Sequence, residues 1–279
     1  MTATTPAPAP SSPRPAGSRF AARYGPWALV TGASDGIGRA LAVHAAELGL
    51  NVLLVARRAD RLEELAATLR RDHDVAVRVE PTDLGDAAAV DQLIATTRSL
   101  DIGLVVLAAG FGTSGDFVET DRADELAMID VNIRAVAALA HSFASRLAVR
   151  GRGGLVLVGS ILGFQGVPRA ANYAATKAYV QTLGEGLRAE LAPRGVDVVV
   201  SAPGPVKTGF GTRADMRFSH AADARDVAVQ TLAGLGRTTT VWPGALAKVL
   251  HSSLSLLPRG GRLRIMAKTM GDATAHHGS

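Results

Sequence analysis

Short apolar runs alternate with longer stretches whose apolar residues recur every three or four positions, from Trp27 to about Val200. The runs fall at 27–31, 52–56, 75–80, 104–108, 155–159 and 196–202. Each is rich in Val and Leu without clean polar alternation, as expected of strands covered on both faces. Between them, 38–48 carries Leu41, Ala45 and Leu48 at helical spacing, and 61–71 carries Leu62, Leu65 and Leu69. The longest helical pattern begins near Tyr173 and ends about Leu191, closed by Pro193 and Gly195. Strand and helix taking turns in this way predicts a single α/β domain over 23–270, a doubly wound parallel sheet of six or seven strands. Residues 1–22, rich in Pro and Ala, are expected to form a disordered tail without the apolar stretch of a secretory signal, and 271–279 a flexible tail. The irregular stretch 207–223 is expected to cover the active site.

Directly after the first run stands Thr31-Gly32-Ala33-Ser34-Asp35-Gly36-Ile37-Gly38, leading into a helix. A strand, a glycine-rich turn and a helix start together form a dinucleotide cradle of the Rossmann type. Gly32 permits the tight turn, Gly36 lets backbone approach a pyrophosphate, and Gly38 lets the helix pack against the sheet. The helix start supplies free N–H groups and a positive dipole end to the phosphates. About twenty residues on, where a carboxylate would take the ribose 2′-hydroxyl of NAD(H), stand Ala56, Arg57 and Arg58. Two guanidiniums there suit a 2′-phosphate, which favours NADP(H) over NAD(H). They also fit the start of a solvated helix, and Asp35 adds a negative charge to an otherwise basic surrounding.

Tyr173 and Lys177 lie four apart in the longest helix, so they share a face. A phenol has a pKa near 10, and a nearby ammonium is expected to lower it and make Tyr173 a usable acid or base. Ser160, at the end of the fifth strand, is placed to hydrogen-bond a carbonyl oxygen as negative charge develops there. No His and Asp are arranged to make it a nucleophile.

Composition narrows the partners. The chain has 279 residues, 47% hydrophobic and 20% charged, an ordinary folded balance. It has no cysteine, which removes disulfides and thiolate chemistry and fits a reducing cytoplasm. A net charge of +5 from scattered bases, with only 4% aromatics, gives no base-stacking surface, and nucleic acid is not expected as a partner. No uninterrupted apolar run is long enough to predict a membrane span. The histidines, including His276 and His277, lack carboxylate companions at ligand spacing, so no metal is expected. From Leu250 to Met270, Leu254, Leu256, Leu257 and Ile265 mix with Arg259, Arg262, Arg264 and Lys268. Such a segment suits peripheral contact with an anionic membrane, but Pro258, Gly260 and Gly261 interrupt it. Packing over the substrate pocket or a neighbouring subunit is the favoured expectation.

Taken together, the glycine turn and Tyr173-Ala174-Ala175-Thr176-Lys177 resemble the short-chain dehydrogenase/reductase family, over about residues 26–208. Gly25-Pro26-Trp27, the Ser34 to Gly38 segment and the Ala56-Arg57-Arg58 strand end are similar to NADP(H)-dependent members acting on 3-oxoacyl thioesters or hydroxysteroid-type ketones. The resemblance implies that Asn132 completes a catalytic set with Ser160, Tyr173 and Lys177 by holding a proton-relaying water, although an asparagine there also suits a helix-end hydrogen bond. It implies that Lys177 binds the nicotinamide ribose, that Asp83 and Leu84 contact the adenine, and that Pro203, Gly204, Val206 and Thr208 belong to the loop holding the carboxamide. Ala109 and Gly110 match the family's close approach to the cofactor, with Ala108 where an asparagine is usual. The implied activity is hydride transfer between NADP(H) and the carbonyl or secondary alcohol of a small molecule, in a homodimer or homotetramer. Ile161, Leu162, Phe164, Val167, Phe210, Met216 and Phe218 are expected to wall the substrate site and to suit an apolar or acyl-type ketone. A non-catalytic NADP(H)-binding redox sensor is the alternative, and an epimerase or dehydratase on this scaffold a further one.

Overall fold

The computed structural model describes residues 19–216, 221–255 and 257–274. Seven parallel strands make one sheet: β1 (Trp27–Thr31), β2 (Asn51–Ala56), β3 (Val77–Pro81), β4 (Ile102–Leu107), β5 (Gly153–Val158), β6 (Val196–Ser201) and β7 (Thr240–Val241). Their order is β3-β2-β1-β4-β5-β6-β7. The helices are α1 (Arg19–Tyr24), α2 (Gly36–Glu47), α3 (Ala59–His73), α4 (Ala87–Thr96), α5 (Arg122–Ile129) and α6 (Val136–Arg150), followed by α7 (Ala171–Leu191), α8 (Phe210–Arg213), α9 (Ala224–Gly234), α10 (Ala245–Ser255) and α11 (Arg259–Ala273). The doubly wound sheet expected from the alternating pattern is therefore present. All six residues of β4 and of β5 are buried, which explains why these strands show no polar alternation.

Each face of the sheet carries its own core. On one side Leu41, Leu62, Leu65 and Leu69 from α2 and α3 pack on Val30, Val52 and Leu54. On the other, Leu139, Phe143 and Leu147 from α6 join Leu29, Val105 and Leu155. Full burial of side chains of this size contributes about 1.5–3 kcal/mol each. Aspartates set several helix starts: the Asp35, Asp86, Asp121 and Asp223 carboxylates accept backbone N–H groups at the beginnings of α2, α4, α5 and α9.

Three features differ from the sequence expectation. Residues 19–22, assigned to the amino-terminal tail, belong to α1, because the Tyr24 hydroxyl donates to Asp197 Oδ2 at 2.7 Å and anchors this helix to β6. The carboxyl-terminal domain boundary at 270 also moves outward: α11 continues to Ala273, which is buried. Finally, one helical stretch, Arg122–Arg150, is long and apolar enough to cross a membrane, although no uninterrupted run suggested it. Its apolar side is occupied instead by the sheet, with Leu139, Phe143 and Leu147 in the core. The remaining parts of both tails and Phe218 lie outside the described residues.

The chain order places a crevice. It runs outward from β1 to β3, then returns to lay β4 on the other side of β1, so the loops after β1 and β4 diverge at the carboxyl ends of the strands. Thr31 Oγ1, at the end of β1, accepts the backbone N–H groups of Ala108 (3.0 Å) and Ala109 (3.1 Å) and so fixes the second loop beside the first.

Candidate active site

A cavity of about 990 Å³ opens at this crevice. Every residue singled out for the site lines it except Asn132: Gly32, Ser34 to Gly38, Arg57, Arg58, Asp83, Leu84, Ala109, Gly110, Ser160, Tyr173, Lys177, Pro203, Gly204, Val206 and Thr208. The glycine turn is held by more than its own glycines. Gly36 sits at φ +55°, and a Cβ there would stand 2.8 Å from the Thr208 methyl. Gly38 presses α2 so closely on the turn that a Cβ would run into the Gly32 carbonyl. Such a cradle has room for backbone and phosphate but not for side chains, which fits a dinucleotide. The Asp35 carboxylate takes the Gly36 N–H at 2.7 Å, and its other oxygen lies 3.8 Å from Arg58. Arg58 also donates to Ser34 Oγ at 3.1 Å, so the guanidinium at the end of β2 is tied to the turn. The negative charge of Asp35 is thus capped and faced by a cation.

At the other side of the cavity, α7 carries Tyr173 and Lys177, which are 7% and 5% exposed. Lys177 Nζ lies 5.7 Å from the centre of the Tyr173 ring and donates to the Val158 carbonyl at 2.9 Å, at the end of β5. Burial lowers the ammonium to a pKa of about 8. Burial also raises the Tyr173 phenol above its usual value, with the Ser160 hydroxyl acting in the opposite direction. The lowering expected from Lys177 is not found: desolvation sets the direction, and the group opposing it is Ser160. Ser160 begins a short 3₁₀ turn, Ile161–Phe164, and its Oγ accepts the Leu162 N–H at 3.1 Å. With that lone pair occupied, the hydroxyl proton remains for another acceptor. Gly163 brings the turn against α7, since a Cβ there would stand 2.7 Å from the Lys177 carbonyl oxygen.

Asn132 is the one member of the expected set that does not line the cavity. It lies in a π-helical turn, Asp130–Ala135, that joins α5 to α6, and is 1% exposed behind Gly110. Its Oδ1 accepts the Phe111 N–H at 3.1 Å, while Nδ2 donates to the Phe111 carbonyl at 2.9 Å and to Thr176 Oγ1 at 3.1 Å. Both amide hydrogens are thus used by protein, and the side chain clamps the loop after β4 to α7. Nor is Asn132 at a helix end, because the helical path continues through it. Oδ1 and Lys177 Nζ nevertheless converge on Gly110, where a Cβ would lie 2.9 and 3.3 Å from them. Asn132→Ala should lower the melting temperature, as each buried Phe111 backbone group left unpaired costs about 1–3 kcal/mol. A domain of this size loses about 2–4 °C per kcal/mol, so thermal unfolding unchanged by the substitution would refute the clamp.

Of the expected walls, Ile161, Leu162, Phe210 and Met216 line the cavity. Val167 is buried beside Tyr173 in a small cluster, and Phe164 packs on Trp242 with ring centres 4.5 Å apart. Sequence reasoning named none of Phe111, Arg213, Leu246, Leu250, Met266 and Met270 as a wall, though all line the cavity. The last four come from α10 and α11, so the carboxyl-terminal segment does roof the pocket. Thr31 was also missed, though a hydroxyl ending the strand before the glycine turn was a usable signal.

The family model for short chain dehydrogenases matches residues 26–217. A 7beta-hydroxysteroid dehydrogenase from Clostridium sardiniense is 38% identical over 189 residues, 68% of this chain and 72% of the relative. A solved 7beta-hydroxysteroid dehydrogenase structure superposes with a TM-score of 0.82 at 26% identity, over 88% of this chain and 98% of its own. A short-chain dehydrogenase from Sphingobium yanoikuyae, solved in complex with NADPH, gives 0.75 at 31% identity, over 84% and 97%. The chain belongs to the short-chain dehydrogenase family, as an oxidoreductase that acts on hydroxyl or carbonyl groups with a nicotinamide cofactor.

Proposed function

We propose that the protein interconverts bulky apolar ketones and secondary alcohols with NADP(H), Tyr173 giving the proton to the oxygen in reduction and taking it in oxidation. The carrying observation is that Ser160, Tyr173 and Lys177 share one cavity with the glycine turn at one side and apolar walls at the other. The cofactor supplies the hydride. The turn Gly32 to Gly38 would hold its pyrophosphate, Arg57 and Arg58 its 2′-phosphate, and Asp83 and Leu84 its adenine. The segments containing Ala109, Gly110, Pro203, Gly204, Val206 and Thr208 would hold the nicotinamide half, with Lys177 at the ribose.

Ser160 orients the ketone by donating its hydroxyl proton to the carbonyl oxygen, which steadies the negative charge developing there. Tyr173, kept protonated by burial, is suited to give its proton to that same oxygen. Lys177 and the clamp through Asn132 keep the phenol in place and provide a cation beside it. Assembly through α5 and α7 belongs to the same reading, supported by Leu126 and Ile129, which α5 exposes.

NADPH oxidation should be followed by absorbance against a panel of hydroxysteroid-type ketones, 3-oxoacyl thioesters, small aldehydes and sugars. The expected result is consumption with the bulky apolar ketones. Turnover confined to sugars would overturn the substrate reading. NADPH binding without consumption against any member would favour a redox sensor instead, and product formation without net consumption would favour an epimerase or dehydratase.

A further inference from the structure

The cavity's two ends differ in charge. The turn end has Arg57 and Arg58 together with Asp35 and Asp83. Beyond Tyr173 the walls are Phe210, Met216, Leu250, Met266 and Met270, and the one charged side chain lining this end is Arg213. Its guanidinium carbon lies 4.1 Å from the centre of the Phe111 ring, so the cation is spread over an aromatic face in the lining. Among the described residues no carboxylate forms an ion pair with it. The Tyr173 ring is packed nearby on Phe210, 5.3 Å between centres, and Phe210 opens the short helix α8 that Arg213 closes.

The helices above the cavity add positive charge. Between Asp226 and Asp272 there is no acidic residue, while α10 and α11 carry Lys248, Arg259, Arg262, Arg264 and Lys268. An apolar cavity with one guanidinium in its wall, beneath helices that carry five basic residues outside its lining, attracts anions and gives them one fixed point of contact. Resting on the reading of the protein as a reductase of bulky ketones, we infer that its substrate carries an anionic group, such as a carboxylate, at the end remote from the ketone, and that Arg213 binds this group. The apolar body fills the methionine and phenylalanine walls, and the ketone end lies at Tyr173 and Ser160. The anion sets which end enters first.

The test compares a keto steroid bearing a carboxylate side chain with its neutral methyl ester, in the unaltered protein and in Arg213→Gln and Arg213→Lys. The unaltered protein should show a KM for the acid about tenfold or more below that for the ester, a preference that shrinks at high salt. In Arg213→Gln the ratio of the two should fall to near one, and Arg213→Lys should keep part of it. Because the ester serves as an internal reference, impaired folding would depress both substrates together and leave the ratio intact. Equal KM values for acid and ester in the unaltered protein, or a ratio untouched by Arg213→Gln, would overturn the inference while leaving ketone reduction standing. Failure to turn over either steroid or any other bulky ketone would instead sink the reductase reading and this inference with it.

Discussion

Tyr173→Phe should reduce turnover by about 10²–10⁴-fold, the usual contribution of a positioned proton donor, with NADPH binding preserved. The substitution removes one hydroxyl and leaves the ring, so the packing of residue 173 on Phe210 and within the small cluster around it survives. The measurement is a pair: steady-state rates with a ketone that the panel identifies, and NADPH titration by fluorescence. Rates within a few-fold of the unaltered protein would show that the proton comes from elsewhere. The direction of the Tyr173 shift adds a pH signature. Burial raises the phenol, so its acid form persists across neutral and mildly alkaline pH and ketone reduction should stay level there. Alcohol oxidation needs the phenolate and should climb with pH over the same interval. Lys177, lowered to about 8, gives up its charge within that interval, so the two directions should diverge most below this value, where the cation is still present.

Replacing Arg57 and Arg58 together by alanine should raise the KM for NADPH by about 10–100-fold, since a hydrogen bond to a charged group contributes about 1.5–3 kcal/mol. The KM for NADH should change far less, because that cofactor lacks the phosphate the two guanidiniums would meet. Arg58 is about half exposed and already tied to Ser34 and Asp35, so part of its charge is committed before any ligand arrives. Parallel changes in both cofactors would mean that the arginines hold the turn rather than read the phosphate.

Much of the sheet was legible because its strands are mostly apolar and separated by helical spacing. β1 begins and ends where its run does, and β6 differs by one residue. Helix starts were less legible: α2 begins at Gly36, two residues before the stretch 38–48, because the Asp35 carboxylate caps it there. The third strand slides to Val77–Pro81, at the edge of the sheet, where only Val77 is buried. The catalytic candidates could be found from the spacing of Tyr173 and Lys177 and from the strand end before Ser160. What the spacing could not convey is desolvation, and that reverses the direction of the Tyr173 shift. The role of Asn132 as a clamp depends on Phe111 and Thr176, which are 21 and 44 positions away. Likewise the roof joins Met266 and Met270 to Tyr173 across nearly a hundred residues, and no local pattern encodes that meeting.

Met216, Met266 and Met270 give this cavity thioether walls, unbranched and readily rearranged. A lining of that kind yields to the outline of whatever enters, so it cannot by itself dictate which face of a planar carbonyl is presented for attack. Handedness of the product must then be decided by the few rigid polar points, above all the Ser160 hydroxyl oriented by the Leu162 N–H. Reshaping the soft walls should broaden or narrow the range of accepted molecules, whereas moving that one hydroxyl should scramble the configuration of the alcohol formed.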